Sequence, residues 1–328
     1  MGFILSVIFG FLPMLVFAFF VYWLDRFEKE PRHLLGGAFV WGAVIAAGFA
    51  FFINTLLGAG IFVLTGSEFI AQQTTGSVIA PLMEEILKGF AVLIVFYFYR
   101  KEFDSILDGI VYAGITALGF AATENTYYIY NFGYLESGYT GLFTLVFIRV
   151  FLVGWQHPFY TAFFGIGLAL ARLSPEWIKR VIYPTAGLVV SILMHSVHNT
   201  IPALIPGVAG IVIGTLFDWT GWIGLSIFIV YVIYREKNLI QSELNEEVQM
   251  GIITAEQYLK SFSIINRMKA LLKHVGKPSF QKITHFYQLC AELAHKKHQF
   301  RRMGDEGGNQ KIINQLRKEL AELSPVIN

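Results

Sequence analysis

Cysteine and charge are both scarce in this chain of 328 residues, and each scarcity excludes a class of protein. Cys290 is the only cysteine, so an intrachain disulfide framework is excluded and dithiol redox chemistry is not expected. Only 15% of the residues are charged, whereas 55% are hydrophobic. The net charge of +2 offers no basic surface for a polyanion, so we expect no nucleic-acid partner.

Long apolar runs dominate the first 235 residues. A run of about 20 apolar residues is long enough to cross a bilayer as a helix, so the lipid bilayer is the expected surrounding. The first run lacks a basic leading segment and ends in Asp25-Arg26, which predicts a retained span rather than a cleaved signal peptide. The expected fold class is an all-α polytopic membrane bundle of about seven spans. We place these spans at about 2–23, 35–64, 77–99, 106–130, 142–171, 181–203 and 208–234.

Lysine and arginine are missing from alternate short loops, and this absence predicts an orientation. The loops near 65–76, 131–141 and 204–207 contain neither residue, whereas the other loops between the spans are basic. Basic loops stay on the cytoplasmic side of a membrane. We therefore expect a plasma-membrane protein with its N-terminus outside the cell and its C-terminal tail in the cytoplasm.

The composition changes at about residue 236, where the chain becomes charged and polar. Apolar residues such as Leu316, Leu320 and Leu323 recur there at helical spacing, which indicates amphipathic helices. We expect two domains, a transmembrane domain at 1–235 and a cytoplasmic helical tail at 236–328. The tail is interpreted as a regulatory or packing module.

A small set of ionisable and amide side chains interrupts the apolar spans. A charged side chain costs about 2.5–3.5 kcal/mol at the centre of a bilayer, so such residues usually mark a functional site. We place them at a similar level in the outer leaflet, where they could form one site. Residues three or four apart share a helix face, so Lys88 is expected to pair with Glu84. The set comprises Glu84, Glu85 and Lys88 in span 3, Glu124 and Asn125 in span 4, His157 in span 5, and His195, His198 and Asn199 in span 6.

Other polar residues have structural explanations. Arg149 is expected to pair with a carboxylate or to extend toward the membrane surface. Asp104 and Asp108 lie where span 4 begins, and a carboxylate there caps the helix N-terminus. Asp218 is predicted to lie at the outer surface or to break span 7. The cluster of Glu84, Glu85 and Lys88 has a structural alternative too, an interhelical ion pair.

Four motifs in order resemble the PrsW family of intramembrane proteases, within the larger group that includes the CAAX prenyl endopeptidases. Glu84 to Lys88 matches Glu-Glu-x-x-Lys, and Phe120 to Asn125 matches Phe-x-x-x-Glu-Asn. His157 matches the lone histidine, and His195 to Asn199 matches a final His-x-x-x-Asn. The resemblance extends from about Leu35 to Thr200, and His198 is additional to the pattern.

The resemblance implies hydrolysis of a peptide bond within the membrane or at its edge. Glu84 would act as general base on a water molecule, and Glu85 would orient that water or share its proton. His157 or His195 would position the water or protonate the leaving amine. Asn199 would stabilise the oxyanion, an interaction worth about 3 kcal/mol. Supporting roles would fall to Lys88, Glu124, Asn125 and His198.

The implied substrate is a membrane-anchored protein, cut near its extracytoplasmic side. Single-pass proteins of the anti-sigma-factor kind are one such class. No particular substrate or scissile bond follows from the sequence.

Three alternatives remain open. A metal-dependent protease would use Glu84, Glu124, His157 and His195 as ligands, although the His-Glu-x-x-His signature is absent. We therefore expect no cofactor, with zinc as the alternative. A proton-coupled transporter would also bury Glu, Lys and His, but no internal repeat is evident. An inert scaffold that acts through its tail is the third alternative.

Overall fold

The computed structural model describes residues 1–327, which contain helices and no β-strand. The expected all-α fold class is confirmed. Two compact units are present. The first contains residues 1–23, 30–172 and 177–227, and the second contains residues 24–29, 173–176 and 228–328.

The first unit holds the apolar helices. They are α1 (Gly2–Leu24), α2 (Arg32–Val40), α3 (Ala47–Thr65), α4 (Glu68–Thr74), α5 (Ala80–Phe98), α6 (Ile106–Tyr128), α7 (Leu135–Val146), α8 (Gln156–Arg172), α9 (Trp177–Leu204) and the first part of α10 (Val208–Gln249). Short π-helical segments join several of them, at Trp41–Ala46, Thr75–Ile79, Ile129–Tyr134 and Phe147–Leu152.

Five helical stretches are long and apolar enough to cross a membrane, by length and composition. They are Gly2–Leu24, Arg32–Thr65, Ile106–Arg172, Trp177–Leu204 and Val208–Gln249. Seven spans were expected. The stretch Ile106–Arg172 contains two of them, and α5 is not among the five because it carries three charged residues.

A hairpin within Ile106–Arg172 brings α6 and α8 together. The chain turns at Gly138, whose φ of 62° and ψ of −143° are accessible to glycine and costly for other residues. Gly133 and Gly141 would lie about 12 Å apart along a straight helix. Instead, a Cβ atom on Gly141 would lie 2.3 Å from the carbonyl oxygen of Gly133, so the two arms of the hairpin are in contact.

Helix α6 lies at the centre of this unit, since every residue from Leu107 to Ala122 is buried. Its contact with α8 is very close: a Cβ atom on Gly109 would lie 2.2 Å from the carbonyl oxygen of Gly165. Small residues permit such helix contacts in membranes. Ser105 and Asp108 form a capping box at the start of α6, so the expected capping role of Asp108 is confirmed.

The second unit has its own core. It contains the rest of α10 together with α11 (Ala255–Ser261), α12 (Ile264–Leu272), α13 (Ser279–Met303) and α14 (Asn309–Leu323). Leu244, Phe286 and Leu320 are fully buried among these helices. The predicted domain boundary at 235/236 lies further along α10 than the division near residue 228.

Candidate active site

Helix α5 carries three charged side chains into the centre of the first unit. Glu84, Glu85 and Lys88 are all buried, and Lys88 has no exposed surface. Buried charges need partners, because an unpaired charge in an apolar interior is strongly destabilising. The partners come from α3, α6, α8 and α9.

Glu85 is surrounded by hydrogen-bond donors. Its Oε1 atom accepts from Lys88 Nζ and from His195 Nδ1, the latter at 2.9 Å. Its Oε2 atom accepts from Thr161 Oγ1 at 2.8 Å and from Ser191 Oγ at 2.9 Å. The single hydroxyl proton of Ser191 is shared with the carbonyl oxygen of Tyr160 at 2.6 Å, and each oxygen of Glu85 still has at least one donor of its own. Lys88 therefore pairs with Glu85, and the expected pairing with Glu84 is not what the structure shows.

Glu84 has far fewer hydrogen-bond donors around its carboxylate than Glu85. Its Oε1 atom accepts one long hydrogen bond, 3.4 Å, from Asn54 Nδ2. Its Oε2 atom is buried without a hydrogen-bond partner among residues 1–327 and lies 3.8 Å from His195 Nε2. Glu84 thus presents an open carboxylate oxygen inside the protein.

The ring of His195 lies between the two glutamates. Because Nδ1 donates to Glu85, the neutral ring leaves Nε2 unprotonated on the side of Glu84. The ring stacks on Tyr160, with centroids 5.0 Å apart and planes at 20°. It meets His157 nearly at right angles, with centroids 5.1 Å apart.

His157 is held by charged groups on both sides. Lys88 Nζ lies 3.2 Å from His157 Nδ1, and since lysine can only donate, Nδ1 is the acceptor. His157 Nε2 then donates to Glu124 Oε2 at 2.8 Å. Arg149 Nη2 donates to the same oxygen at 2.6 Å, and Arg149 Nε donates to Asn125 Oδ1 at 3.0 Å.

The other residues expected in span 6 point to different partners. Asn199 Nδ2 donates to the carbonyl oxygen of Gly76, 2.8 Å away in the π-helical segment Thr75–Ile79. His198 Nδ1 lies 2.8 Å from Asp218 Oδ2, and Tyr160 donates its hydroxyl proton to Asp218 Oδ1 at 2.7 Å. Asp218 is buried within the continuous helix α10, so the prediction of a surface residue or a helix break was wrong.

Several residues of the site were missed from the sequence. Thr161 lies four residues after His157, and Ser191 lies four residues before His195, so helical spacing places each on the face of its histidine. This spacing is visible in the sequence and is the signal that identifies both residues. Asn54 is a lone amide in an apolar span and gives no indication of its partner.

Three donors in the cluster could hold a metal ion. One ligand atom each from Glu84, His157 and His195 lies within 4.8 Å of the others, and Glu124 is not part of this group. Glu85 orients His195 as a carboxylate commonly orients a metal-binding imidazole. Zinc ligands at about 2.0–2.1 Å from the ion lie about 3.4 Å apart, close to the 3.8 Å between Glu84 and His195. To bind the same ion, His157 would have to break its hydrogen bond with Lys88 or with Glu124. With that change, the three residues fit a metal ion.

Comparison with known families matches residues 30–234 to the PrsW family intramembrane metalloprotease. The chain belongs to this family. The matched residues contain the whole cluster from Asn54 to Asp218 and stop before α11. The expected family is confirmed, and the protein is a membrane-embedded peptide hydrolase.

Curated relatives agree with this assignment. Protease PrsW of Bacillus subtilis (strain 168) is 29% identical over 192 residues, which cover 58% of this chain and 80% of the relative. Protease PrsW of Clostridioides difficile (strain 630) is 30% identical over 200 residues, covering 61% and 78%. Protease PrsW of Geobacillus kaustophilus (strain HTA426) is 26% identical over 190 residues, covering 58% and 76%. No solved structure matches the chain significantly.

Proposed function

We propose that this intramembrane protease cleaves membrane-anchored proteins with a water molecule activated at Glu84. One observation carries the proposal: Glu84 Oε2 is a buried carboxylate oxygen without a hydrogen-bond partner among the described residues. Glu85 cannot take the same role, because both of its oxygens are occupied by donors. A general base needs a free acceptor within hydrogen-bond reach of its proton.

The residues around Glu84 have complementary tasks in this scheme. Glu84 takes a proton from the attacking water and returns it to the leaving amine. His195 Nε2, 3.8 Å from Glu84 Oε2, accepts the second hydrogen bond of that water and so fixes its direction. Glu85 keeps His195 in the required tautomer. The second amide hydrogen of Asn199, beyond the one given to Gly76, is the proposed donor to the oxyanion.

The family description raises a metal-dependent alternative. Glu84, His157 and His195 would hold the ion, which when bound would lower the pKa of water and polarise the scissile carbonyl. We keep activation without a resident metal as the proposal, because both nitrogens of His157 are already hydrogen-bonded. Glu84 is essential in either case.

The proposed orientation has support from the second unit. Residues 24–29 and 173–176 follow spans expected to end in the cytoplasm, and both belong to the same compact unit as residues 228–328. Within that unit, Arg267 donates to the carbonyl oxygen of Phe27 at 2.9 Å. This shared unit supports the proposal that these segments lie on the same side of the membrane as the tail, as the distribution of basic residues predicts. Glu84, near the opposite end of its span, would act close to the extracytoplasmic side.

The proposed substrates are single-pass membrane proteins, with anti-sigma-factor-like proteins as one class. The test is a panel of such proteins in liposomes with the purified enzyme or Glu84→Gln, each with and without a strong chelator. The proposal predicts cleavage by the wild type in both conditions and none by the variant. Loss of cleavage with chelator and recovery with zinc would establish the metal-dependent alternative instead. Equal cleavage by Glu84→Gln would refute both.

A further inference from the structure

A cavity of about 340 Å³ lies where the start of α8 and the segment before it face α10. Its walls are mostly aromatic and aliphatic and include Trp155, Trp219 and Trp222. Trp155 and Trp222 are in ring contact, with centroids 4.9 Å apart. Trp219 Nε1 donates to the carbonyl oxygen of Leu152 at 2.8 Å. These contacts fix the tryptophans, so the cavity has a preformed shape.

Two polar residues connect the cavity to the catalytic cluster. Asp218 lines the cavity and accepts the hydrogen bond from Tyr160, whose ring stacks on His195. Gln156 also lines it and directly precedes His157 in α8. Tyr160 alone lies between the lining residue Asp218 and His195, and the lining residue Gln156 adjoins His157 directly.

Gln156 is an unusual wall residue. Only 6% of its surface is exposed, yet its Oε1 atom has no hydrogen-bond partner among the described residues. A buried acceptor left unsatisfied costs about 1–3 kcal/mol, which a donor from a bound molecule would recover. A membrane helix must unwind before its peptide bond can be cut, and its freed N–H groups then need acceptors, since the bilayer core has no water. Gln156 is suited to accept from such an N–H group.

The mouth of the cavity has an apolar rim. Phe151, Trp219 and Ile223 line the cavity and are 69%, 50% and 57% exposed. They lie on helical stretches that are long and apolar enough to cross a membrane, where an exposed apolar side chain would face lipid. A substrate helix in the bilayer can therefore approach from the side. An engineered cavity of about 150 Å³ holds benzene, so this larger one has room for a Phe- or Leu-sized side chain.

We propose that this cavity is a specificity subsite for a bulky apolar side chain on the residue that precedes the scissile bond of the substrate. The side chain enters from the bilayer past the exposed rim of Phe151, Trp219 and Ile223, and Gln156 binds the unwound backbone beside it. The inference rests on the proposed protease function. It predicts that the enzyme prefers aromatic or leucine-sized residues over alanine or glycine at this position.

The test uses one cleaved single-pass substrate whose scissile bond has been mapped by mass spectrometry. The residue that precedes this bond is changed to Ala, Leu or Phe, and kcat/KM is measured in liposomes. Ile223→Trp narrows the mouth, and Ile227→Trp, one turn further along α10 on an exposed position outside the cavity, is the matched control. The wild type and the control should prefer Phe over Ala by at least about tenfold, and Ile223→Trp should lose about tenfold of that preference.

A second measurement does not depend on cleavage. Benzoylphenylalanine is placed at successive positions along the membrane-spanning segment of the substrate, and the photocrosslinks to the Glu84→Gln enzyme are mapped. Crosslinks from one of these positions to residues 151–156 or 218–223 support the subsite even if no substrate is hydrolysed, an outcome that would refute only the proposed protease mechanism. The absence of such crosslinks from every position, or equal kcat/KM for Ala and Phe in a cleaving wild type, overturns the subsite.

Discussion

The buried ion pair between Glu85 and Lys88 makes it possible to change the stability of the protein separately from its activity. Glu85→Gln removes the charged partner of a lysine that has no exposed surface. Leaving one member of a buried pair uncompensated costs about 3–5 kcal/mol. Since about 1 kcal/mol shifts Tm by about 2–4 °C in a domain of this size, we expect a Tm lowered by about 10 °C.

A second substitution tests the cause of that loss. Lys88→Met removes the unpaired charge, so the double variant Glu85→Gln/Lys88→Met should regain most of the lost Tm. Its cleavage should remain about 10–100-fold below wild type, because His195 Nδ1 still lacks the carboxylate that orients it. Tryptophan fluorescence during heating in detergent gives Tm, and cleavage of a single-pass substrate gives activity.

The matched control is Glu136→Gln, which removes the charge of an exposed glutamate in the same unit. It should leave both Tm and cleavage unchanged. If the double variant melted as low as Glu85→Gln, the buried charge would not be the cause of the instability. Wild-type cleavage by the double variant would show that the contact of Glu85 with His195 is not needed for activity.

Three further predictions concern the surroundings of the site and the tail. Arg149→Met removes one hydrogen-bond donor from Glu124 and one from Asn125, so kcat/KM should fall about 10–100-fold while the protein stays folded. An unchanged kcat/KM would show that Arg149 has only a structural role. Tyr160→Phe removes the hydroxyl donor to a buried Asp218 and should lower the unfolding free energy by about 1–3 kcal/mol in denaturant titrations. Burial raises the pKa of Cys290 from 9.0 to about 12, so the tail should be stable below pH 9 and lose stability as the pH rises toward 12. Maleimide should label this thiol only after unfolding, and rapid labelling of the native protein would contradict its burial.

The sequence predicted the membrane bundle and singled out the buried polar residues of the spans, because both follow from local patterns. Apolar runs indicate spans, and rare buried charges stand out within them. The pairing of Lys88 could not be predicted in the same way. Glu84 and Glu85 both lie within helical reach of this lysine, and the choice depends on Thr161 and Ser191, which add donors from two other helices.

Asp218 is a second residue whose environment could not be predicted from the local sequence. An aspartate beside Trp219 in an apolar run predicts a helix end or a surface position. Its hydrogen bond with Tyr160 and its contact with His198 explain why it lies within a continuous helix instead. Helical spacing would have identified Ser191 as a neighbour of His195, whereas contacts between distant helices are not encoded in any local pattern.

The central claim is that Glu84 drives attack of water on a peptide bond. Its most direct test is cleavage of a single-pass substrate in H₂¹⁸O, with the products examined by mass spectrometry. The account predicts one ¹⁸O atom in the new C-terminal carboxylate with the wild-type enzyme, and no product with Glu84→Gln. An ¹⁸O-labelled product from Glu84→Gln at the wild-type rate would contradict it.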